Sequence, residues 1–569
     1  MPIFPVPNND SKWDDFSGVY TKGLLQSNAG IPDSASATAF VCEIDRGRNA
    51  VAATPPERPI ETGCPLFEPA GLMLGNMGNA SGKLNGPQGA FAGQVGADES
   101  FKYRTLAPPP VGSNEYAVEL AELYWASLLR DVPFAEFVDA PPPPGPMTQR
   151  RKLIDMACAD LTTWARAGYY FGPLNNGQVT PSLLFRGGIP AGKHKDFSTS
   201  SLRTDTGEYF SDEKFGPYLS QLCLCPTGLG AQPINQKIKT FIPGRDYMID
   251  LMSWEDVQNG KKPSGGLDMD PTLRHIRSSR DLAAYTHVDE LYQAYLVAYL
   301  VLAGWGAPAN PGFPYSKDSM TPYKNQKPFG TMGGPEISAF LGVVARAAIE
   351  AVWWQKWAVH LRARPEAGGG LVHLWKTNAQ HLPQAAHFDT INAYFATIMD
   401  ASLKASSGRY SPHSAKKDED RIFLLSQAFP EGSPTHPAYP TGHGAVAGAC
   451  ITALKFFFDG KTQIQKLAAP MVPRADGLAL NLYEGDDIAD MTVNGELHKL
   501  AHNISFGHGV LAGIHWRTDT DESMLLGEQV ALNCLDKLVN TYTEKVDVKI
   551  IKMDGTPCHI MKMKQAPSA

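Results

Sequence analysis

Between residues 114 and 130, Val118, Leu120, Leu123, Tyr124 and Leu128 fall largely on one side of an α-helical repeat, which predicts an amphipathic helix. A second helix is predicted over 150–168, after a stiff break at Pro141–Pro144. Upstream, residues 1–112 are rich in Gly, Pro and Asn, lack periodicity and close at Pro108–Pro110, which reads as an irregular arm that wraps the body or a neighbouring subunit. Residues 170–280 are mixed, with few long elements. From 281 onward the helical pattern dominates. Thr286 followed by Asp289 reads as the cap of a helix running to Ala303, with Gly304 as its stop. Pro335 suits a first helical position, and the pattern continues from it to Arg364, where Pro365 would end it. Further helices are predicted at 387–404, 443–458, 493–507 and 515–542. The β-branched residues of Val546–Ile560 flank Asp554-Gly555, a hairpin signal. The expected architecture is mainly α, without internal repeats. A helical bundle at 281–545 carries the chemistry, joined by the arm at 1–112, a helical and loop-rich region at 113–280, and a hairpin and tail at 546–569.

Composition narrows the function classes. A hydrophobic share of 43% with 19% charged residues is that of a globular protein, and the net charge of -7 leaves no basic excess for general nucleic-acid binding. The eight cysteines include only one close pair, Cys223 and Cys225, whose spacing suits neither a zinc knuckle nor a redox motif; buried thiols are the expectation. The N-terminus shows no basic and apolar signal-peptide pattern, and the longest apolar run is read near Leu291–Ala303, too short for a membrane span. The expected product is soluble and, by default, cytoplasmic.

Three distant segments carry candidate chemistry. In the first, Lys356 and Arg364 are eight residues apart, about 80° of turn on one α-helix, so both cations can reach one point. A solvated basic helix end fits the same residues, but Trp353, Trp354 and Trp357 demand burial. In the second, Thr441 offers a hydroxyl and Gly442 an unobstructed backbone N–H before the small-residue run that follows His443; an anion here would sit at a helix N-terminus. Thr441 also reads as an ordinary helix cap. In the third, His515 and Asp519 share a helix face, where the carboxylate can fix the imidazole tautomer; a surface pair has the same spacing. Together the segments assemble what a tetrahedral oxyanion needs: cations against its charge, hydroxyl and N–H donors for its oxygens, and an imidazole for its central atom.

The text Gln355-Lys356-Trp357 to Arg364-Pro365-Glu366, then His436-Pro437-Ala438-Tyr439-Pro440-Thr441-Gly442-His443, then Asn503-Ile504-Ser505 through Ala512-Gly513-Ile514-His515-Trp516, and Leu526-Gly527-Glu528, resembles the vanadium-dependent haloperoxidases. The likeness is to the larger bromoperoxidase type of red algae and cyanobacteria, which shares its anion site with the PAP2 acid phosphatases. It covers most of 113–545. The resemblance implies a vanadate cofactor, bonded through its metal by His515, with oxygens held by Lys356, Arg364, Thr441 and Gly442. It implies His443 as the acid–base group, His436 as the second histidine of the algal type, and Trp353 as a position that tunes halide handling. Lys356 would also act catalytically by withdrawing electron density from bound peroxide. The implied reaction oxidises bromide or iodide with hydrogen peroxide, and the hypohalous acid halogenates a small organic acceptor. Homodimers built into larger assemblies, dodecamers in the algal type, and a structural calcium ion are further implications; no loop here has a calcium spacing.

Two positions depart from the family pattern. Thr441 stands where a serine is usual, so an added methyl must be housed. The arginine expected six residues before the vanadium-bound histidine is replaced by Gly509, with His508 one step earlier and one extra residue in the segment. Seven residues of helix nearly restore the face, which lets His508 point into the site. It gives no bidentate fork, so weaker vanadate binding is expected, tightening in acid as His508 charges. Arg517 lies on another face. Two other readings stay open: an acid phosphatase acting through a phosphorylated His515, and a non-catalytic relative with a weakened cradle.

Overall fold

The computed structural model describes residues 97–139, 148–187, 213–378 except 262, 264 and 320–324, then 393–411, 417 and 420–562, with short pieces at 18–20, 22, 26–27, 31–32 and 89–90. Pro141–Pro144, residues 387–392 and most of 1–112 lie outside the described residues.

Eleven α-helices carry the fold among the described residues. α1 (Asn114–Leu129) begins where Ser113 accepts a hydrogen bond from the Tyr116 amide, and it is buried along nearly its whole length. α2 (Gln149–Arg166) is capped by Thr148, α3 (Leu251–Gln258) by Asp250 and α4 (Ser279–His287) by Ser278. α5 spans Gln293–Gly304 and α6 Gly334–Trp354 with Pro335 in its first turn. A π-helical turn, Gln355–His360, follows directly, and α7 runs from Pro365 to Asn378. α8 (Ala393–Tyr410), α9 (Gly442–Phe457), α10 (Val493–His508) and α11 (Arg517–Thr541) complete the set. Among the described residues strands form only two-stranded antiparallel pairs: β1 (Gln26–Ser27) with β2 (Ile31–Pro32), β3 (Thr227–Leu229) with β4 (Gln232–Ile234), β5 (Ile238–Phe241) with β6 (Met269–Arg274), and β7 (Met471–Pro473) with β8 (Leu480–Leu482). The fifth pair, β9 (Asp547–Ile551) with β10 (Pro557–Met561), is the hairpin read from Asp554-Gly555, with Val548 opposite Ile560.

One hydrophobic core extends from Tyr103 to Ile560. At its centre lies α9, all of whose residues are buried, packed against α6, α10 and α11. The α9–α11 crossing is close because both helices carry glycine there. A Cβ on Gly448 would lie 1.9 Å from the Met524 carbonyl oxygen, and one on Gly527 1.9 Å from that of Ala445.

Three readings need correction. Thr286 opens no helix: it sits in the last turn of α4, its hydroxyl donating back to the carbonyls of Leu282 and Ala283, and α5 starts only at Gln293. Pro365 starts a helix rather than ending one. The long helix stops earlier because the chain widens into the π turn and Leu361 turns left-handed at φ 48°. The apolar run of Leu291–Ala303 is exceeded by Gly334–His360, which has the length and composition to cross a membrane; here it packs on α9 and α11.

Candidate active site

The two cations are not presented by one helix, yet they converge. Lys356 lies in the π turn, and Arg364 lies beyond the left-handed Leu361 in an extended segment. That segment is clamped on both sides. Gly18 and Tyr20 bond it through Ala363 N to Gly18 O (2.9 Å) and Tyr20 N to Leu361 O (2.7 Å), while Ala438 N donates to Arg362 O (2.9 Å). Lys22 adds an ion pair to Glu366 at 2.8 Å, with further bonds to the carbonyls of Glu431 (2.8 Å) and Ser433 (2.5 Å).

Arg362 and Arg364, two residues apart in this segment, engage different partners. Arg362 pairs with Glu119 at 2.8 Å and Asp519 at 2.7 Å. Arg364 faces the pocket: Nη1 donates to His515 Nε2 at 2.7 Å and Nη2 to His436 Nδ1 at 3.0 Å, while Nε donates to the His436 carbonyl at 2.9 Å. Lys356 donates to the carbonyls of Pro437 (2.6 Å) and Ala438 (2.9 Å). Both cations are buried.

His515 is fully buried, and its Nδ1 faces Asp519 Oδ2 at 2.9 Å. The carboxylate also accepts from Trp516 N at 3.1 Å, so Nδ1 carries the proton and Nε2 keeps its lone pair toward Arg364. His443 opens α9 and bonds Asp289 through Nε2 at 3.0 Å. Its ring stacks on His508, centroids 3.6 Å apart, and His508 lies 5.8 Å from His515. The extra residue therefore does not expel His508. The turn after α10 absorbs it, the Gly509 carbonyl accepting from the amides of Gly513, Ile514 and His515. Trp353 lies against His436, ring centroids 4.9 Å apart.

Thr441 stands at the N-cap of α9, but its hydroxyl caps nothing. Thr441 Oγ1 is buried without a partner, as is His508 Nδ1. The added methyl is housed because residue 444 is glycine, where a Cβ would come within 2.8 Å of Thr441 Cγ2. Gly442 likewise leaves room: a Cβ there would meet Ile349 Cδ1 at 3.2 Å.

Charge is unbalanced in this pocket. Burial, then the Arg364 charge, pushes the Lys356 ammonium well below its ordinary range, and burial brings Arg364 down to about 10. Burial first, then neighbouring cations, drives His436, His508 and His515 well below the usual imidazole value. Asp519 and Asp289 touch imidazoles on nitrogens used for orientation. Among the described residues no group of three or more His, Cys, Asp or Glu side chains is placed to hold a bare cation, calcium included. Arg517 points elsewhere, pairing with Glu122 through Nε at 2.8 Å.

Sequence reasoning missed three contributors. Asp289 was read only as part of a helix cap. Arg362 and Glu119 carried no signal of their own in the sequence.

Fold and pocket together define a helical protein whose buried pocket joins an imidazole lone pair to two cations. No protein-family model matches the chain. It is 32% identical over 580 residues to the vanadium-dependent bromoperoxidase of Corallina pilulifera, covering 98% of this chain and 93% of that one. The vanadium-dependent bromoperoxidase of Ascophyllum nodosum is 31% identical over 476 residues, 83% of this chain and 77% of that one. The solved homohexameric second vanadate-dependent bromoperoxidase of Ascophyllum nodosum shares the fold, with a TM-score of 0.75 at 23% identity over 98% of this chain and 87% of that chain. The chain belongs to the vanadium-dependent bromoperoxidase family.

Proposed function

We propose that this chain is a vanadate-dependent haloperoxidase that oxidises bromide with hydrogen peroxide. The observation that supports it most is the cradle's imbalance: buried cations and unpartnered polar atoms surround the His515 lone pair, and among the described residues no carboxylate forms an ion pair with Lys356 or Arg364. An oxyanion relieves that imbalance, and vanadate fits the donor set because it offers oxygens to the cations and a metal to one imidazole nitrogen. When bound, it supplies a Lewis acid that activates peroxide toward halide without a change of oxidation state.

The residues divide the work. Arg364, Lys356, the Thr441 hydroxyl, the Gly442 amide and His508 hold oxygens, and His515 Nε2 bonds the metal. Lys356 brings a buried positive charge to the reacting oxygen. His443, oriented by Asp289, holds or moves a proton at Nδ1. His436 and Trp353 form the wall that halide meets. The hypohalous acid then halogenates a small organic acceptor. We also propose that copies of this chain assemble, since the related solved structure is described as homohexameric; light scattering gives the number.

Titrating the protein with orthovanadate while following peroxide-dependent bromination of a phenol dye tests this reading. Bromination that appears only with vanadate is expected. Release of phosphate from an aryl phosphate without bromination would replace it with the phosphatase reading, and neither activity would leave a non-catalytic relative.

A further inference from the structure

Arg186 is a buried guanidinium without a counter-ion. It is 7% exposed, and its hydrogen bonds go to backbone oxygens only, from Nε to Ser182 O at 2.7 Å and from Nη1 to Glu213 O at 3.2 Å. Among the described residues no carboxylate pairs with it. Its carbon lies 4.5 Å from the centroid of the Tyr218 ring, which stacks in turn on Phe134 at 4.3 Å. Burying a charge without a partner is costly, so an unpaired guanidinium at a cavity wall implies an anion that enters from outside.

The cavity is there. Arg186, Tyr218 and Phe134 line a space of about 1020 Å³, the size of an organic-ligand site. Its apolar lining includes Phe137, Leu174, Val472 and Pro473. The other charged groups on its walls are mostly engaged. Arg277 gives its guanidinium to Asp281, and Arg474 pairs with Asp476. Asp139 accepts from Ser182 and Thr180, and Asp487 from Tyr483 and the Gly216 amide. Exposed Lys214 and Asp486 oppose each other in sign. Arg186 is left as the buried, uncompensated pole, with an apolar lining and the acceptors of Asp486 and Asp487 elsewhere on the walls.

We propose that this cavity is a second ligand site, separate from the anion cradle, that takes a planar aromatic carboxylate: the carboxylate on Arg186, the ring against the apolar lining, and a ring hydroxyl donating to the acidic wall. The inference does not rest on the vanadate reading. The site nevertheless touches the cradle's scaffold, because the Arg186 carbonyl accepts a 2.9 Å bond from Arg517, two residues after His515.

The test is calorimetric titration of the full chain with 4-hydroxybenzoate and its neutral analogue 4-hydroxybenzyl alcohol. Saturable binding of one benzoate per chain is expected, with the alcohol weaker by about tenfold or more, the worth of a charge-assisted hydrogen bond. Arg186→Met removes the counter-charge. Ala135→Trp fills the space from an exposed lining position and carries the test if the buried substitution does not fold. Each should weaken benzoate binding by about tenfold or more, and saturating orthovanadate should leave it unchanged. No saturable binding, equal affinity for the alcohol, full affinity in Ala135→Trp, or displacement by vanadate would each overturn the proposal.

Discussion

Replacing Asp519 with asparagine isolates the bond that prepares His515. The carboxylate is fully buried and makes three hydrogen bonds: Oδ2 accepts from His515 Nδ1 and Trp516 N, and Oδ1 accepts from Arg362 Nη1. An amide offers one oxygen, so in either orientation its NH2 meets a donor. If the oxygen stays with His515, the imidazole keeps its tautomer but loses the charge that makes Nε2 basic, and Arg362 retains only Glu119 and the Thr518 hydroxyl. Partners of this kind typically change metal affinity by roughly 10–100-fold when removed, or about 1.4–2.8 kcal/mol. The lost charge-assisted bond to Arg362 should lower stability by about 1.5–3 kcal/mol, below the cost of stripping a buried ion of every partner. Calorimetric titration of the vanadate-free chain measures the first quantity and urea denaturation the second. Glu119→Gln is the control, because it also weakens the Arg362 pairing but leaves His515 alone. It should lose stability and keep its vanadate affinity. The reasoning is refuted if Asp519→Asn binds vanadate within about twofold of the parent, or if Glu119→Gln weakens binding as much.

Three other outcomes follow from the same structure. His508→Ala should weaken vanadate binding by about fivefold, the worth of one neutral hydrogen bond, and unchanged affinity would remove His508 from the cradle. Gly527→Ala, whose Cβ would meet the Ala445 carbonyl oxygen at 1.9 Å, should force α9 and α11 apart at a cost of about 3 kcal/mol; an unchanged midpoint of thermal unfolding would contradict the close crossing. Burial lifts the Asp521 carboxyl to about 7, so between about pH 4 and 7 the folded chain holds a proton that the unfolded chain has released, and stability falls as pH rises through that window. Asp521→Asn should flatten this fall and unfold at higher urea than the parent at pH 8; an unaltered slope would exclude Asp521 as its source.

Much of the helical frame was legible because apolar period and end signals agreed, as at 114–129, where Ser113 caps, and at 493–508, where Thr492 does. The stretch from 355 to 365 was not. Proline is tolerated both just after a helix and in its first turn, so Pro365 alone does not choose between them. The residue that turns left-handed is Leu361, which carries no turn signal of its own. In the pocket, residues within a contiguous motif were readable, and the structure puts Arg364 against His436 and His515 and His443 against His508. Asp289 and Glu119 were invisible because their partners lie 154 and 243 residues away, and only the packed chain sets those pairings. Thr441 shows the reverse case: the expected difficulty of its methyl vanishes once Gly444 is seen beside it.

The clamp on the Arg364 segment has a bearing on biosynthesis. One of its jaws is supplied by Gly18 and Tyr20, far upstream, while the imidazole it serves lies 151 residues beyond Arg364. A growing polypeptide that contains Arg364 but not yet His515 lacks the imidazole that Arg364 bonds, so the pocket is complete only once that later segment is made.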